Sequence, residues 1–162
     1  MHTQTSPHFT AFPAPYAQHA LPRWGWLLAR GLGALAVLAV GAIHLQQYSG
    51  PYAAIPTIGT LFVVNFVAAM VIGVALLSPL EHLAGRWAGP VMALVMAGGI
   101  ALAGGSFVLL LVSERRPLFG FQEPGYDPSA IALSRATEIA SVVLLSASLV
   151  ARFASKAPKA RW

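Results

Sequence analysis

The chain has 162 residues, of which 57% are hydrophobic and only 9% charged. A soluble domain carries about 25% charged residues, and ten basic plus five acidic side chains are too few to clothe a water-facing surface, so lipid replaces water over much of this chain. The absence of cysteine excludes disulfides, thiolate metal sites and cysteine nucleophiles. The net charge of +5 lies mostly beside apolar segments, where it reads as a topology signal and a contact to anionic lipid, and not as a nucleic-acid surface.

Taken in chain order, residues 1–22 are polar and carry Pro7, Pro13, Pro15 and Pro22. They read as a disordered cytoplasmic tail. Its His2, His8 and His19 show no repeated ligand spacing and are expected to bind no metal specifically. Four apolar runs follow, at about 24–45, 57–77, 90–112 and 129–151. Each has the roughly 20 residues a helix needs to cross the hydrocarbon core, and helices are required because lipid offers the backbone no other hydrogen-bond partner. The punctuation agrees: Tyr48-Ser49-Gly50-Pro51 breaks after the first run, Ser78-Pro79 ends the second, and Gly89-Pro90 opens the third. Asp127-Pro128 supplies an N-cap and a first-turn proline to the fourth. An alternative makes the first run a cleaved signal peptide, with Arg23 and Arg30 before Val40-Gly41-Ala42. The long apolar core and the preceding polar tail favour a span.

The expected fold is therefore all-α: a four-transmembrane-helix bundle over 23–152, followed by a basic cytoplasmic tail at 153–162. With the N-terminus inside, seven basic residues (Arg23, Arg30, Arg86, Arg152, Lys156, Lys159 and Arg161) face the cytoplasm and two, Arg115 and Arg116, lie outside. That bias predicts N-in, C-in topology. Trp24, Trp26 and Trp87 then mark the inner interface, and Tyr48, Tyr52 and Tyr126 the outer one. The chain shows no internal repeat of the kind that builds an inverted-repeat transporter.

The third run carries Gly89, Ala93, Ala97, Ala101 and Gly105, small residues spaced by four. Such a stripe predicts a face on which another helix approaches closely. The second has Asn65, Ala69 and Gly73 at the same spacing, and the fourth sets Ser134, Glu138, Ser141 and Ser148 along one stripe.

Polar groups within spans are costly and face protein or water. His44, Asn65, Arg135 and Glu138 all fall in the outer half and form the candidate polar pocket. The inner half has Arg30, placed to snorkel to the interface. Arg135 and Glu138, three apart on one helix, are expected to pair with each other. His44 is expected to hydrogen-bond Glu138 or to serve at the interface; as a haem ligand it lacks a second histidine at its depth. The segment 117–127 is too apolar for a freely solvated loop and too broken for a helix. It reads as an interfacial anchor, or alternatively as a lid through Phe119 and Phe121, and its Glu123, Tyr126 and Asp127 form a candidate outer-loop site. No glycine-rich phosphate loop, Gly-x-Ser-x-Gly or HExxH occurs, so no catalytic residue is assigned and no cofactor or metal is expected.

Gly41-Ala42-Ile43-His44-Leu45 is followed by Tyr52, Ile55-Pro56, Ile58-Gly59 and Leu61-Phe62. Further on stand Leu118-Phe119-Gly120-Phe121, Glu123, Gly125-Tyr126-Asp127 and Glu138. Together they resemble a family of uncharacterised four-helix integral membrane proteins of high-GC Gram-positive bacteria, over roughly 44–149. The layout is also loosely similar to DoxX-like proteins, in architecture alone. The resemblance implies a multi-pass protein of the bacterial cell membrane and marks His44, Glu123, Asp127 and Glu138; it implies no reaction. The expected function is a non-enzymatic accessory bundle that binds lipid or a partner membrane protein, a second copy of itself included. The alternatives are a small proton-coupled transporter using Glu138 and, behind it, a quinone- or haem-associated redox subunit.

Overall fold

The computed structural model describes residues 23–154. The N-terminal tail with its three histidines, and Lys156, Lys159 and Arg161, lie outside the described residues. Four long helices carry the fold: α1 (Arg23–Tyr48), α2 (Pro56–Leu77), α4 (Ala88–Arg115) and α5 (Pro128–Ala154), with a short turn of helix, α3 (Leu80–Leu83), and a 3-10 turn (Gly85–Trp87) between α2 and α4. Each long helix is apolar and long enough to cross a membrane. The shortest, α2, has 22 residues and at 1.5 Å per residue reaches about 33 Å, just over the hydrocarbon thickness. The all-α four-helix expectation holds. Each helix contains its apolar run and continues slightly past it, because the run marks only the lipid-bathed part of a helix that goes on into polar residues such as Gln46 and Glu114.

The breaks have local causes. Ser78, at the end of α2, is extended (φ −75°, ψ 157°), as steric conflict with the following Pro79 requires. Pro56 opens α2 and Pro128 opens α5, where the missing N–H costs no helical bond. Asp127 caps α5, its Oδ1 accepting the Ala130 N–H at 3.0 Å.

Polar contacts tie the elements into two ends. At one, Arg30 donates to Glu81 of α3 at 2.6 Å, and Arg152 of α5 stands 3.6 Å from the same carboxylate. Nearby the Ser148 hydroxyl donates to the Trp26 carbonyl at 3.1 Å. Arg30 also lies over the Trp26 ring, 5.5 Å from its centroid, so it is paired and stacked at this end, where snorkelling alone was expected. At the other end Gln47 of α1 reaches Asp127 at 3.2 Å. The beginning of α1 and the end of α5 are thus at the same end of the bundle, as four passes demand.

The core runs through Ala34, Val37, Ala69, Leu76, Met92, Met96 and Leu145. Helix α1 packs most extensively on α5 and α2, while α4 leans on α5 and touches α2 far less. At Gly41 α1 and α2 pack closely: a Cβ there would stand 2.8 Å from that of Ala69 and 3.4 Å from the Phe66 carbonyl oxygen. Only glycine permits that approach.

The small-residue stripe of α4 departs from expectation. The buried residues of this helix are Met92, Met96, Gly99, Ala103 and Ser113. Gly89 and Ala93 are partly buried, but Ala97, Ala101 and Gly105 are exposed, and a Cβ on Gly105 would meet nothing within 4 Å. Steps of four on a 3.6-residue helix advance about 40° each, so five such residues wind through roughly 160° and cannot share one packed seam. The stripe begins beside α3 and turns onto an open wall.

Candidate functional site

The loose pairing of α2 with α4 leaves a cavity of about 320 Å³ at the end of the bundle that holds His44. It is bounded by α1, α2, α4 and α5 and covered by the segment between α4 and α5. Its walls are chiefly aliphatic and aromatic. Ala101 and Gly105 line it, so these two positions create room where close helix contact was expected.

Of the expected pocket residues, His44, Asn65 and Glu138 line this cavity, and Arg135 does not. Glu138 is 1% exposed. Its Oε1 accepts the Ser134 hydroxyl at 3.1 Å, one turn back on the same helix, and its Oε2 has no partner among the described residues. Asn65, 6% exposed, donates its amide N–H to Ser106 across the α2–α4 gap, leaving Oδ1 unpartnered. Buried polar atoms without partners are rare in folded proteins, and here two acceptors face one space.

Two expected pairings are corrected. Arg135 does not pair with Glu138; its Nη2 donates to both carboxylate oxygens of Glu114 on α4. Glu114, near the polar end of α4, meets the guanidinium partly in solvent, where neither charge is fully desolvated, whereas Glu138 lies on the buried stripe of α5. Nor does His44 bond Glu138: its Nδ1 pairs with the Val40 carbonyl at 2.8 Å, one turn back on α1. Its ring meets the edge of Phe62, centroids 5.1 Å apart.

The cover is built from the outer-loop candidates. A tight turn closes with reciprocal bonds between Leu118 and Phe121, 2.7 and 3.0 Å, and holds Phe119 and Gly120 at φ 52° and 82°, the mirror-image turn that glycine favours. Phe121 lines the cavity while Phe119 is exposed, so of the two rings only that of Phe121 is on the cavity wall. Glu123 is buried beneath the loop. Its Oε2 accepts the Tyr52 hydroxyl at 2.5 Å, and its Oε1 takes the N–H groups of Gly125 and Tyr126 at 2.8 and 3.2 Å. Its own N–H donates to the Ser113 carbonyl at 2.9 Å. Tyr126 is exposed, its ring centroid 6.2 Å from that of Tyr52. Neither Tyr126 nor Asp127 lines the cavity; Asp127 serves the α5 cap.

Burial pushes the Tyr52 phenol well above its ordinary value, and the Glu123 bond and charge push it further. Asp127 is held below the usual carboxylate range, first by the Ser129 hydroxyl, then by the Ala130 N–H and Gln47. Among the described residues no three His, Asp or Glu side chains converge as a metal site needs. Tyr52 is a cavity residue that the sequence marks only as an interfacial aromatic and as part of the quoted motif. The signal for more was weak: a tyrosine beside an uncharged loop and a distant glutamate.

Comparison with protein-family models, with curated proteins and with solved structures found no match. The likeness to four-helix membrane proteins therefore rests on the quoted motifs alone.

Proposed function

We propose that this chain is a multi-pass protein of the bacterial cell membrane, both ends cytoplasmic, that holds a small amphipathic molecule in its outer-half cavity. One observation carries the reading. A space of about 320 Å³, within the roughly 300–1,000 Å³ of small-molecule sites, has apolar walls and two buried acceptors, Glu138 Oε2 and Asn65 Oδ1, without donors. Apolar walls with a few convergent polar groups are the usual form of a binding site. The seven-to-two basic bias supports the orientation, and the motif resemblance supports the bacterial membrane. Gentle detergent extraction, followed by mass spectrometry of the denatured preparation, tests it. A stoichiometric small molecule should accompany the wild type and be lost from Gly105→Leu, which fills the cavity from an unpacked position. A preparation free of any such molecule, with equal lipid profiles for both proteins, would sink the proposal.

A second reading is favoured by the same unpartnered carboxylate oxygen. Glu138, free of an arginine partner, is placed to exchange a proton, as a coupled transporter requires. Proton-linked flux in vesicles that survives Glu138→Gln rules it out.

A further inference from the structure

The polar groups on the cavity wall are unbalanced in a way that specifies ligand chemistry. Among the described residues no lysine or arginine lines it. Its two carboxylates differ in what they lack. Glu123 is complete, with Tyr52 on one oxygen and two backbone N–H groups on the other. Glu138 is not: Ser134 satisfies Oε1, and Oε2 is bare. The cation nearest to it along the helix, Arg135, gives Nη2 to Glu114; its Nε is unpartnered among the described residues, and the residue does not line the cavity. Across the cavity Asn65 spends its amide N–H on Ser106 and leaves Oδ1 bare. The unmet demand is for hydrogen-bond donors, and a buried carboxylate without a cation is among the costliest groups to leave alone.

We infer that the cavity is an amine site, taking a compact apolar body that carries a primary ammonium group, with Glu138 as its counter-ion and Asn65 as a second acceptor. This rests on the cavity reading above and narrows it. An ammonium offers three donors and no acceptor, so it matches in kind the two bare oxygens on the cavity wall. The rings at the cavity, Phe62 and Tyr52, lie 4.9 Å apart between centroids and add faces that attract a cation. A hydroxyl offers one donor and no charge. A carboxylate or a quinone carbonyl brings only acceptors to a wall already short of donors.

Three probes of one shape separate these cases: 1-adamantylamine, 1-adamantanol and adamantane-1-carboxylate. The full chain is placed in nanodiscs of uncharged phosphatidylcholine, which removes non-specific attraction of the amine to anionic lipid. Binding of tritiated 1-adamantylamine is measured against empty discs and competed with the other two. The amine should bind saturably and at least about tenfold more tightly than the alcohol, the scale of a charge-assisted hydrogen bond, and the carboxylate should not compete. Glu138→Gln should weaken the amine by a similar factor and leave the alcohol unchanged. The wild-type comparison needs no variant to fold. Alcohol or carboxylate competing as well as the amine overturns the amine assignment, as does amine binding indifferent to Glu138→Gln. If the extraction experiment meanwhile yields a neutral or acidic molecule lost in Gly105→Leu, the cavity reading survives and the amine assignment falls. If no probe binds and no molecule is extracted, both fall.

Discussion

Tyr52→Phe removes one atom from the clasp that holds the loop over the cavity. Tyr52 is 3% and Glu123 8% exposed, and the hydroxyl is the donor to Glu123 Oε2. Phenylalanine keeps the ring contacts with Phe62, Phe121 and Tyr126, whose centroids lie 4.9, 5.8 and 6.2 Å away, so packing is nearly conserved. What is lost is a buried bond to a carboxylate, worth about 1.5–3 kcal/mol. At about 1.4 kcal/mol per factor of ten, opening of the loop should become roughly 10- to 100-fold more frequent. The loss is local, because Glu123 keeps its two backbone donors and the helices do not use this bond. Hydrogen exchange read by mass spectrometry should show faster exchange in 117–127, where the N–H groups of Glu123, Gly125 and Tyr126 are bonded. Peptides around Val37 and Leu145 should not change. Tyr126→Phe, at an exposed ring, is the control and should leave the loop protected. Unaltered exchange in 117–127, or an equal rise in the core, refutes the clasp.

Three further outcomes are expected. Gly41→Ala should cost about 1–3 kcal/mol through overpacking, since the new methyl meets Ala69 Cβ and the Phe66 carbonyl, whereas Gly105→Ala should cost nothing on that account; unfolding by graded sodium dodecyl sulfate compares them, and equal losses would count against the packing described. The raised Tyr52 pKa means the folded state holds its proton more tightly than the unfolded state. Its contribution is complete below about pH 10 and declines above that, so ultraviolet titration should find one late-ionising tyrosine that Tyr52→Phe removes. Asp127, lowered in the folded state, stabilises above the ordinary carboxylate pKa of about 3.9 and loses that contribution as pH falls further. Protection of the Ala130 N–H, its exchange taken relative to the intrinsic rate at each pH, should fall there in the wild type and already be low at neutral pH in Asp127→Ala; wild-type protection unchanged in acid argues against the cap.

The four spans were legible because lipid leaves the backbone one solution, and an apolar run of sufficient length states it directly. That His44, Asn65 and Glu138 share one compartment was also legible, since depth along a span follows from counting residues. Pairing was not. Arg135 and Glu138 are neighbours in sequence, but the partner used is Glu114, 21 residues away and on another helix. A sequence shows local neighbours and hides those that the loop between α4 and α5 brings back. The alanine and glycine stripe misled for a related reason. Spacing by four suggests one face over two turns and drifts off it over four. Tyr52 stayed inconspicuous because its role exists only once residue 123 is folded over it.

The extensive packing of α1 on α5 also sets an order of assembly. Helix α1 finds its main partner only when α5 is made, since Gly33 leaves room for Leu145. Until then the apolar seam of α1, with Ala34 and Val37, is held by α2 alone, and α4 has little to settle against. A chain stopped before residue 128 would contain three membrane-competent helices and no closed core.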